Sequence, residues 1–252
     1  MRKIKSSISY YLYGKHSVDS AMNNPARRVF ELLVTKNNLK SINKYKAIIE
    51  NKQINVKVLE NSEINKHIGI EESVHQGIAI KVKKLELISM EQVLKKAKAR
   101  SILLFLDQVT DPQNVGAIIR SSLAFGVDVV ITTKDNAPSE NASLVKATAG
   151  AFEFVPYIRI TNLARTLDGI KKYGYWVVAI TQDGDIPLNN LGHFDKIALI
   201  LGGEGKGIRS INLKQSDMKV RINISDKLQS LNVSNAVAIS LYNIRGSIRF
   251  FV

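Results

Sequence analysis

The chain has 252 residues, with 36 Lys and Arg against 22 Asp and Glu, and a formal net charge of +14. It contains no cysteine, which excludes a disulfide framework, a thiolate zinc site and a cysteine nucleophile, and with it any pyrimidine chemistry that needs a cysteine adduct. The positive excess favours a polyanionic partner, most often nucleic acid, and 45% hydrophobic residues suit a globular protein of one or two domains. The longest apolar runs fall well short of the roughly 18 residues of a membrane helix. The N-terminal MRKIKSSISYYLYGKH lacks the apolar stretch of a secretory signal. A cytoplasmic protein without a membrane partner is the expectation. The four histidines, His16, His67, His75 and His193, show no paired ligand spacing, and no metal is expected.

In chain order, residues 1 to about 10 are basic, polar and expected to fray. YLYGKHSVDSAMNN reads as a strand, a glycine turn and a helix, and VFELLVTKN as a strand. Residues 39–53 carry apolar positions at helical spacing, VKVLEN is a strand and INKHIG a short helix. Alternation from Gly77 to Val82 marks one more strand. These segments form an α/β unit, residues 1–84. Residues 85–100 read as a linker running into a basic helix. From residue 101 to 252 strands and helices alternate: strand 102–106, helix 113–125, strand 127–132, helix 139–149, strand 153–158, helix 161–173 and strand 176–180. Strand 197–201, a helix near 208–216, strand 219–224 and a last helix over 231–246 complete the series. That alternation predicts a mostly parallel sheet covered on both faces. No internal repeat or low-complexity segment interrupts it.

Three segments carry polar chemistry at strand ends. The run IALIL stops in Gly202-Gly203-Glu204-Gly205-Lys206-Gly207. Glycines let a backbone approach a ligand closely, but the loop lacks the Lys-Ser/Thr ending of a P-loop and the spaced glycines of a dinucleotide fingerprint. The second segment is Asp107-Gln108-Val109-Thr110-Asp111-Pro112-Gln113-Asn114, leading into a helix with Arg120 among apolar residues. The third, Gln229-Ser230-Leu231-Asn232, precedes the final helix. Each has a plain reading: a tight turn for the glycines, Asn114 capping its helix with Arg120 solvated, and Ser230 or Asn232 capping the last helix. Yet α/β sheets bind ligands at the carboxyl ends of their strands, and each of the three segments, leading from a strand through a polar turn to a helix, could deliver small polar groups to the same edge of one sheet.

NVGAIIRSSLAFGV, LILGGEGKGI and SLNVSNAVAISLY, in that order, resemble the three motifs of the SpoU (TrmH-like) RNA 2′-O-methyltransferases. SVHQGIAIKVK and PYIRITNLARTL resemble segments of a bacterial member that methylates a guanosine ribose in large-subunit (23S) ribosomal RNA. The likeness covers nearly the whole chain and is looser in the first 70 residues. It implies a methyltransferase domain, residues 101–252, with a deep trefoil knot, a feature otherwise almost absent from proteins. It also implies a homodimer, and an N-terminal RNA-binding domain with a ribosomal protein L30-like fold. S-adenosylmethionine would be the methyl donor, held by backbone groups of Gly202, Ile222 and Leu231, with no metal.

By motif position the resemblance makes Asn114, Arg120, Glu204, Ser230 and Asn232 the functional residues. Arg120 would activate the ribose hydroxyl or stabilise developing alkoxide charge. Asn114 and Ser230 would orient ribose and phosphate, while Glu204 and Asn232 would order the loops. The departures are few: RINIS lacks the proline common after its isoleucine, Gly203 stands where close relatives carry alanine, and Lys206 where acid is common. Ribosomal RNA is the expected substrate, with transfer RNA the alternative within the same chemistry. A non-catalytic RNA-binding protein is the alternative outside it. No helix-turn-helix text suggests a DNA-binding repressor.

Overall fold

The computed structural model describes residues 9–69, 75–135 and 137–247, so residues 1–8 of the stretch expected to fray lie outside it. The chain forms two compact units, one of residues 1–86 and 140–153, the other of residues 87–139 and 154–252.

The first unit begins with β1 (Ser9–Tyr13), α1 (Lys15–Asn23) and β2 (Val29–Val34). The helix expected over 39–53 is split. Lys36–Tyr45 winds as a 3₁₀ helix and only Lys46–Lys52 is α-helical (α2). The first stretch is rich in Asn and Ser, which compete for local backbone bonds, and Asn38 Nδ2 reaches out to the carbonyl of Gln76 at 2.9 Å. Next come β3 (Asn55–Val58), α3 (Asn61–Ile68) and β4 (Ile78–Lys83). The four strands lie in the order β1-β4-β2-β3. β4 is antiparallel to both neighbours, and β2 is parallel to β3. Leu33, Ile64 and Ala79 meet beneath this sheet, with Tyr13 beside them.

The second unit starts with α4 (Met90–Lys95), closed by a Ser89–Gln92 capping box, then β5 (Ser101–Asp107), α5 (Pro112–Ala124) and β6 (Val129–Thr133). The chain then enters the first unit again with α6 (Ala142–Ala147) and a short 3₁₀ turn, Ala151–Glu153. It returns as β7 (Tyr157–Ile160), later than the strand expected near 153–158, and α7 (Leu163–Lys171) follows. β8 (Trp176–Ile180) leads to β9 (Ile186–Pro187), an edge strand of two residues, too short to leave an alternating pattern in the sequence. β10 (Lys196–Gly202), α8 (Ser210–Leu213), β11 (Met218–Arg221) and α9 (Val233–Ser247) complete the fold.

The seven strands of this unit form a parallel sheet in the order β7-β6-β5-β10-β8-β11-β9. A parallel sheet is covered on both faces. That is why SILLFLD is buried at every position and IALIL is an unbroken apolar run. Leu103, Phe105, Ile131, Leu167, Val177 and Ile200 share one core cluster. The central pair, β5 and β10, runs in register from Ser101 with Lys196 to Asp107 with Gly202. Both strands therefore end at the same sheet edge, and their polar continuations start side by side.

Candidate active site

At the carboxyl edge of the seven-stranded sheet the three polar segments converge on one side chain. Asn232 Nδ2 donates to Asn114 Oδ1 at 2.9 Å and to Glu204 Oε1 at 2.5 Å. Its other amide atom works as a helix cap: Oδ1 accepts from the backbone N–H of Ser234 at 2.9 Å and from the Ser234 hydroxyl at 2.5 Å. One asparagine thus closes the first turn of α9 and ties together segments that lie 118 and 28 residues away in sequence. Capping and function, rival readings of Asn232 in the sequence, are compatible.

The reading of Asn114 as a cap is not what the structure shows. Asp111 caps α5, accepting from the N–H groups of Gln113 and Asn114, each at 3.1 Å, with Pro112 in the first turn. The Asn114 side chain is thereby free to meet Asn232. Arg120 lies six residues further along α5, about 9 Å up the helix axis, and is exposed to solvent. Ser230 is also exposed, in the irregular stretch before α9. Among the described residues no hydrogen bond or ion pair joins Arg120 or Ser230 to the Asn232 cluster.

The glycine loop owes its shape to positions where a side chain would collide or strain. A Cβ on Gly202 would stand 2.0 Å from the carbonyl carbon of Gly207, and one on Gly203 would stand 2.2 Å from the carbonyl oxygen of Gln108. Gly205 and Gly207 adopt positive φ. The turn closes with the N–H of Gly207 on the carbonyl of Gly203 at 2.9 Å. Gln108 itself holds φ +60°, and a side chain at position 203 would require its carbonyl to lie elsewhere.

Beneath the loop is a residue to which sequence reasoning gave no role. Asp107, fully buried at the end of β5, accepts from Asn212 Nδ2 at 2.6 Å, Arg209 Nε at 2.8 Å and the Arg209 N–H at 2.9 Å. Its carbonyl accepts from the N–H of Gly203 at 2.9 Å. A buried carboxylate is tolerated when hydrogen bonds satisfy it, and this one fixes both ends of the glycine loop to β5. The available signal was a carboxylate ending a wholly apolar strand, which has no structural use unless a partner is brought to it.

The positions expected to hold a methyl donor share the same edge. Gly202 ends β10, Ile222 directly follows β11, and both strands flank β8. Adjacent strands lie about 4.8 Å apart, which separates the two backbones by roughly 10 Å. Leu231 lies in the stretch joining β11 to α9, and Gln182, just past β8, donates to the carbonyl of Gln229 in that stretch. All three residues are half-buried. Half-buried positions on neighbouring segments, two of them aliphatic residues and one a glycine, suit a flat, mostly apolar ring with hydrogen-bonding edges, so these residues fit an adenosine group. Among the described residues no cluster of His, Cys, Asp or Glu could hold a metal ion.

Comparison with known proteins identifies the family and the fold. Residues 101–242 match the SpoU rRNA Methylase family, and residues 11–88 match the family described as RNA 2′-O ribose methyltransferase substrate binding. The chain is 35% identical to the 23S rRNA (guanosine-2′-O-)-methyltransferase RlmB of Coxiella burnetii, over 97% of this chain and 96% of that one. It is 33% identical to RlmB of Neisseria meningitidis, over 93% and 94%. Among solved structures, the SpoU methyltransferase AviRb of Streptomyces viridochromogenes in complex with AdoMet shares the fold. Its TM-score is 0.80 at 18% identity, covering 96% of this chain and 91% of that one. The AdoMet-bound rRNA methyltransferase of Sinorhizobium meliloti gives 0.77 at 19% identity, covering 94% and 87%.

Proposed function

The chain belongs to the SpoU rRNA methylase family, and from that premise we propose that it methylates the 2′-hydroxyl of a guanosine ribose in large-subunit ribosomal RNA. The observation that carries the reading is the bridge from Asn232 to Asn114 and Glu204, which unites three distant segments at the carboxyl edge of the sheet. The full-length likeness to RlmB proteins, named for 23S rRNA guanosine, supports the substrate. Transfer RNA is the alternative substrate.

S-adenosylmethionine, held by Gly202, Ile222 and Leu231, supplies a methyl group on a sulfonium. The ribose 2′-oxygen forms its bond to the methyl carbon as the carbon–sulfur bond breaks. The electron pair leaves on sulfur, and the hydroxyl proton is lost to solvent or to a substrate phosphate. Asn114 and Ser230 orient the ribose and its phosphate, while Glu204 and Asn232 hold the loops in register. Arg120 stabilises charge developing on the 2′-oxygen, because a guanidinium does not give up its proton in proteins.

Residues 1–84 act as the RNA-binding domain, with a ribosomal-protein-like fold. Their four-stranded sheet and the substrate-binding match over residues 11–88 support this. The knot of the family is supported by the insertion of β10 between β5 and β8, both earlier in the chain, and by the hold of Gln182 on the stretch before α9. A homodimer is supported by the exposed Leu123, Ile239 and Tyr242 on α5 and α9. The cytoplasm is the compartment where such a substrate is met, and no helix among the described residues is long and apolar enough to cross a membrane.

The test is incubation with tritiated S-adenosylmethionine and, separately, unmodified large-subunit RNA, small-subunit RNA and transfer RNA, followed by nucleoside digestion. Labelled 2′-O-methylguanosine from large-subunit RNA is expected. Label in transfer RNA alone would move the substrate, and no label together with no donor binding would leave a non-catalytic RNA-binding protein. Arg120→Ala is expected to abolish turnover while leaving RNA affinity nearly unchanged.

A further inference from the structure

The parallel sheet has a second end, where its strands begin, and the site chemistry uses none of it. β5 starts at Ser101, β10 at Lys196 and β8 at Trp176, and register places them side by side, Lys196 against Ser101 and Ile197 against Trp176. β5 is seven residues long, so this end lies roughly 20 Å from the Asn232 cluster.

Its surface differs from the ordinary polar end of a sheet. Trp176 is 47% exposed, although the rest of its strand is buried, and Tyr173, in the turn before it, is 49% exposed. Phe194 packs on Trp176 with ring centroids 5.3 Å apart at 42°. Cations run between the rings. Lys196 Nζ donates to the carbonyl of Tyr173 at 3.0 Å and lies 5.6 Å from the ring centre of Tyr175. Lys172, next to Tyr173 in the chain, and Arg100, which pairs with Asp195, are exposed, as is Lys98 two residues before Arg100. Three acids stand at the same end, Asp195 at 3.5 Å from Arg100, Asp217 at 2.6 Å from Lys171 and Asp128, which accepts from the Ser101 hydroxyl at 2.6 Å, and with Lys171 counted they offset only part of this charge.

We propose that this end of the sheet is a second RNA-contact surface, on which unpaired bases of the substrate stack against Trp176 and Phe194 while Lys98, Arg100, Lys172 and Lys196 follow the phosphates. The inference rests on the reading of RNA as the substrate. Ring faces interleaved with cations are what single-stranded RNA recognition uses: every base has a stacking face and every nucleotide a phosphate. A protein partner fits less well, because lysine is depleted at protein interfaces. The surface would hold a flanking strand away from the reacting ribose, adding affinity and orientation and no chemistry.

Trp176 is the single tryptophan of the chain, so intrinsic tryptophan emission reports on this surface alone. The full-length protein is titrated at low salt with a 12-nucleotide oligouridylate, an oligoadenylate of the same length, and a duplex. Saturable quenching by the single strands, weakened by salt, is expected, with little response to the duplex. Trp176→Ala and Phe194→Ala, read by anisotropy of labelled RNA, are each expected to weaken single-strand binding about tenfold. Lys172→Glu should weaken it several-fold. Donor binding should not change in any of the three, and melting temperature should not change in Lys172→Glu, whose side chain is exposed.

Unchanged emission at RNA concentrations that saturate methyl transfer would overturn the inference and leave the methyltransferase reading intact. Emission that depends on protein concentration without RNA would overturn it in favour of a contact with a second copy. Quenching with unaltered affinity in all three variants would overturn it as an indirect effect. Quenching in the wild type with affinity that falls in the variants, without methyl transfer to any RNA, would support the surface and sink the reading of function.

Discussion

Around Arg27 the polar groups are mostly withdrawn from water, whereas around Asn232 the bridged side chains lie more open to it. Arg27 is 1% exposed. Its Nε and Nη2 form a fork on Glu153, at 3.0 and 2.7 Å, while Nη1 reaches Glu140 at 2.6 Å and the carbonyl of Lys83 at 2.9 Å. Asn24 also holds Glu153 at 2.8 Å, and Tyr10 holds Glu140 at 2.7 Å. Burial alone would lower the Arg27 pKa, yet the two carboxylates hold it above the ordinary arginine value. The Tyr10 hydroxyl is pushed far up, by burial first and by Glu140 next. A closed network of this kind fixes one geometry of the first unit and offers nothing to a ligand. The Asn232 cluster makes the same kinds of bond at an exposed edge, where a substrate can reach Asn114 and Glu204. Burial, more than bond type, separates the Arg27 network from the candidate site.

The largest effect should come from breaking the buried network. Arg27→Met leaves two carboxylates without their cation and should cost about 3–5 kcal/mol in denaturant unfolding. Arg27→Lys should recover little of that, because an ammonium cannot form the fork. A loss below about 1 kcal/mol in the methionine variant would show that the network is not what holds the unit together.

The exposed cluster should respond in the opposite currency. Asn232→Asp keeps the shape and a good helix cap, removes both amide donors and sets a second carboxylate against Glu204. Thermal stability should change little, while kcat for methyl transfer should fall roughly a hundredfold, the scale of a misplaced catalytic group. A variant that unfolds as readily as Arg27→Met would erase the distinction between the two networks. Gly203→Ala falls between them. Its Cβ meets the Gln108 carbonyl, and a backbone shift there should cost about 1–3 kcal/mol, with some loss of activity because the same loop carries Glu204. Equal stability of Gly203→Ala and wild type would mean that the loop relaxes freely around Gln108.

The parallel sheet was legible because a buried strand needs an unbroken apolar run, and SILLFL and IALIL supply it. The three site segments were legible because polar turns interrupt such runs at strand ends. The choice of Asn232 over Ser230 as the shared side chain comes only from the family resemblance, since by local pattern both residues can cap a helix and only tertiary geometry chooses. Nor did the text reveal that Glu140 and Glu153 belong with Arg27. A pair separated by 126 residues leaves no local pattern, and α6 reads like any other short helix of its region. Asp107 stood in plain view, but its partners Arg209 and Asn212 lie beyond the glycine loop, whose path no periodicity describes. The two-residue strand β9 was beyond reach for a simpler reason, being shorter than the period needed to detect it.

The smallest effect tests whether pH sensitivity also follows burial. Glu31, in the first unit, is mostly buried. It accepts from the Tyr11 hydroxyl at 2.7 Å and pairs with Lys57 at 2.6 Å. Burial pushes its pKa up, but the Lys57 ammonium and the Tyr11 hydroxyl outweigh that and hold it below the usual carboxylate value. A carboxylate whose pKa is lowered in the folded state stabilises the fold above its unfolded pKa, about 4.3 for Glu. That stabilisation is lost as pH falls through the folded value. Tyr11 gives the mirror case: burial, followed by the Glu31 bond, pushes it up to about 12. Its stabilisation is complete below the unfolded value of about 10 and is lost as pH rises towards 12. Glu31→Gln should therefore flatten the acid limb of the stability profile, and Tyr11→Phe the alkaline limb, each leaving stability at neutral pH only slightly lower. Denaturant midpoints measured across pH for wild type and both variants decide the matter. Parallel profiles in all three would place the pH sensitivity elsewhere in the chain.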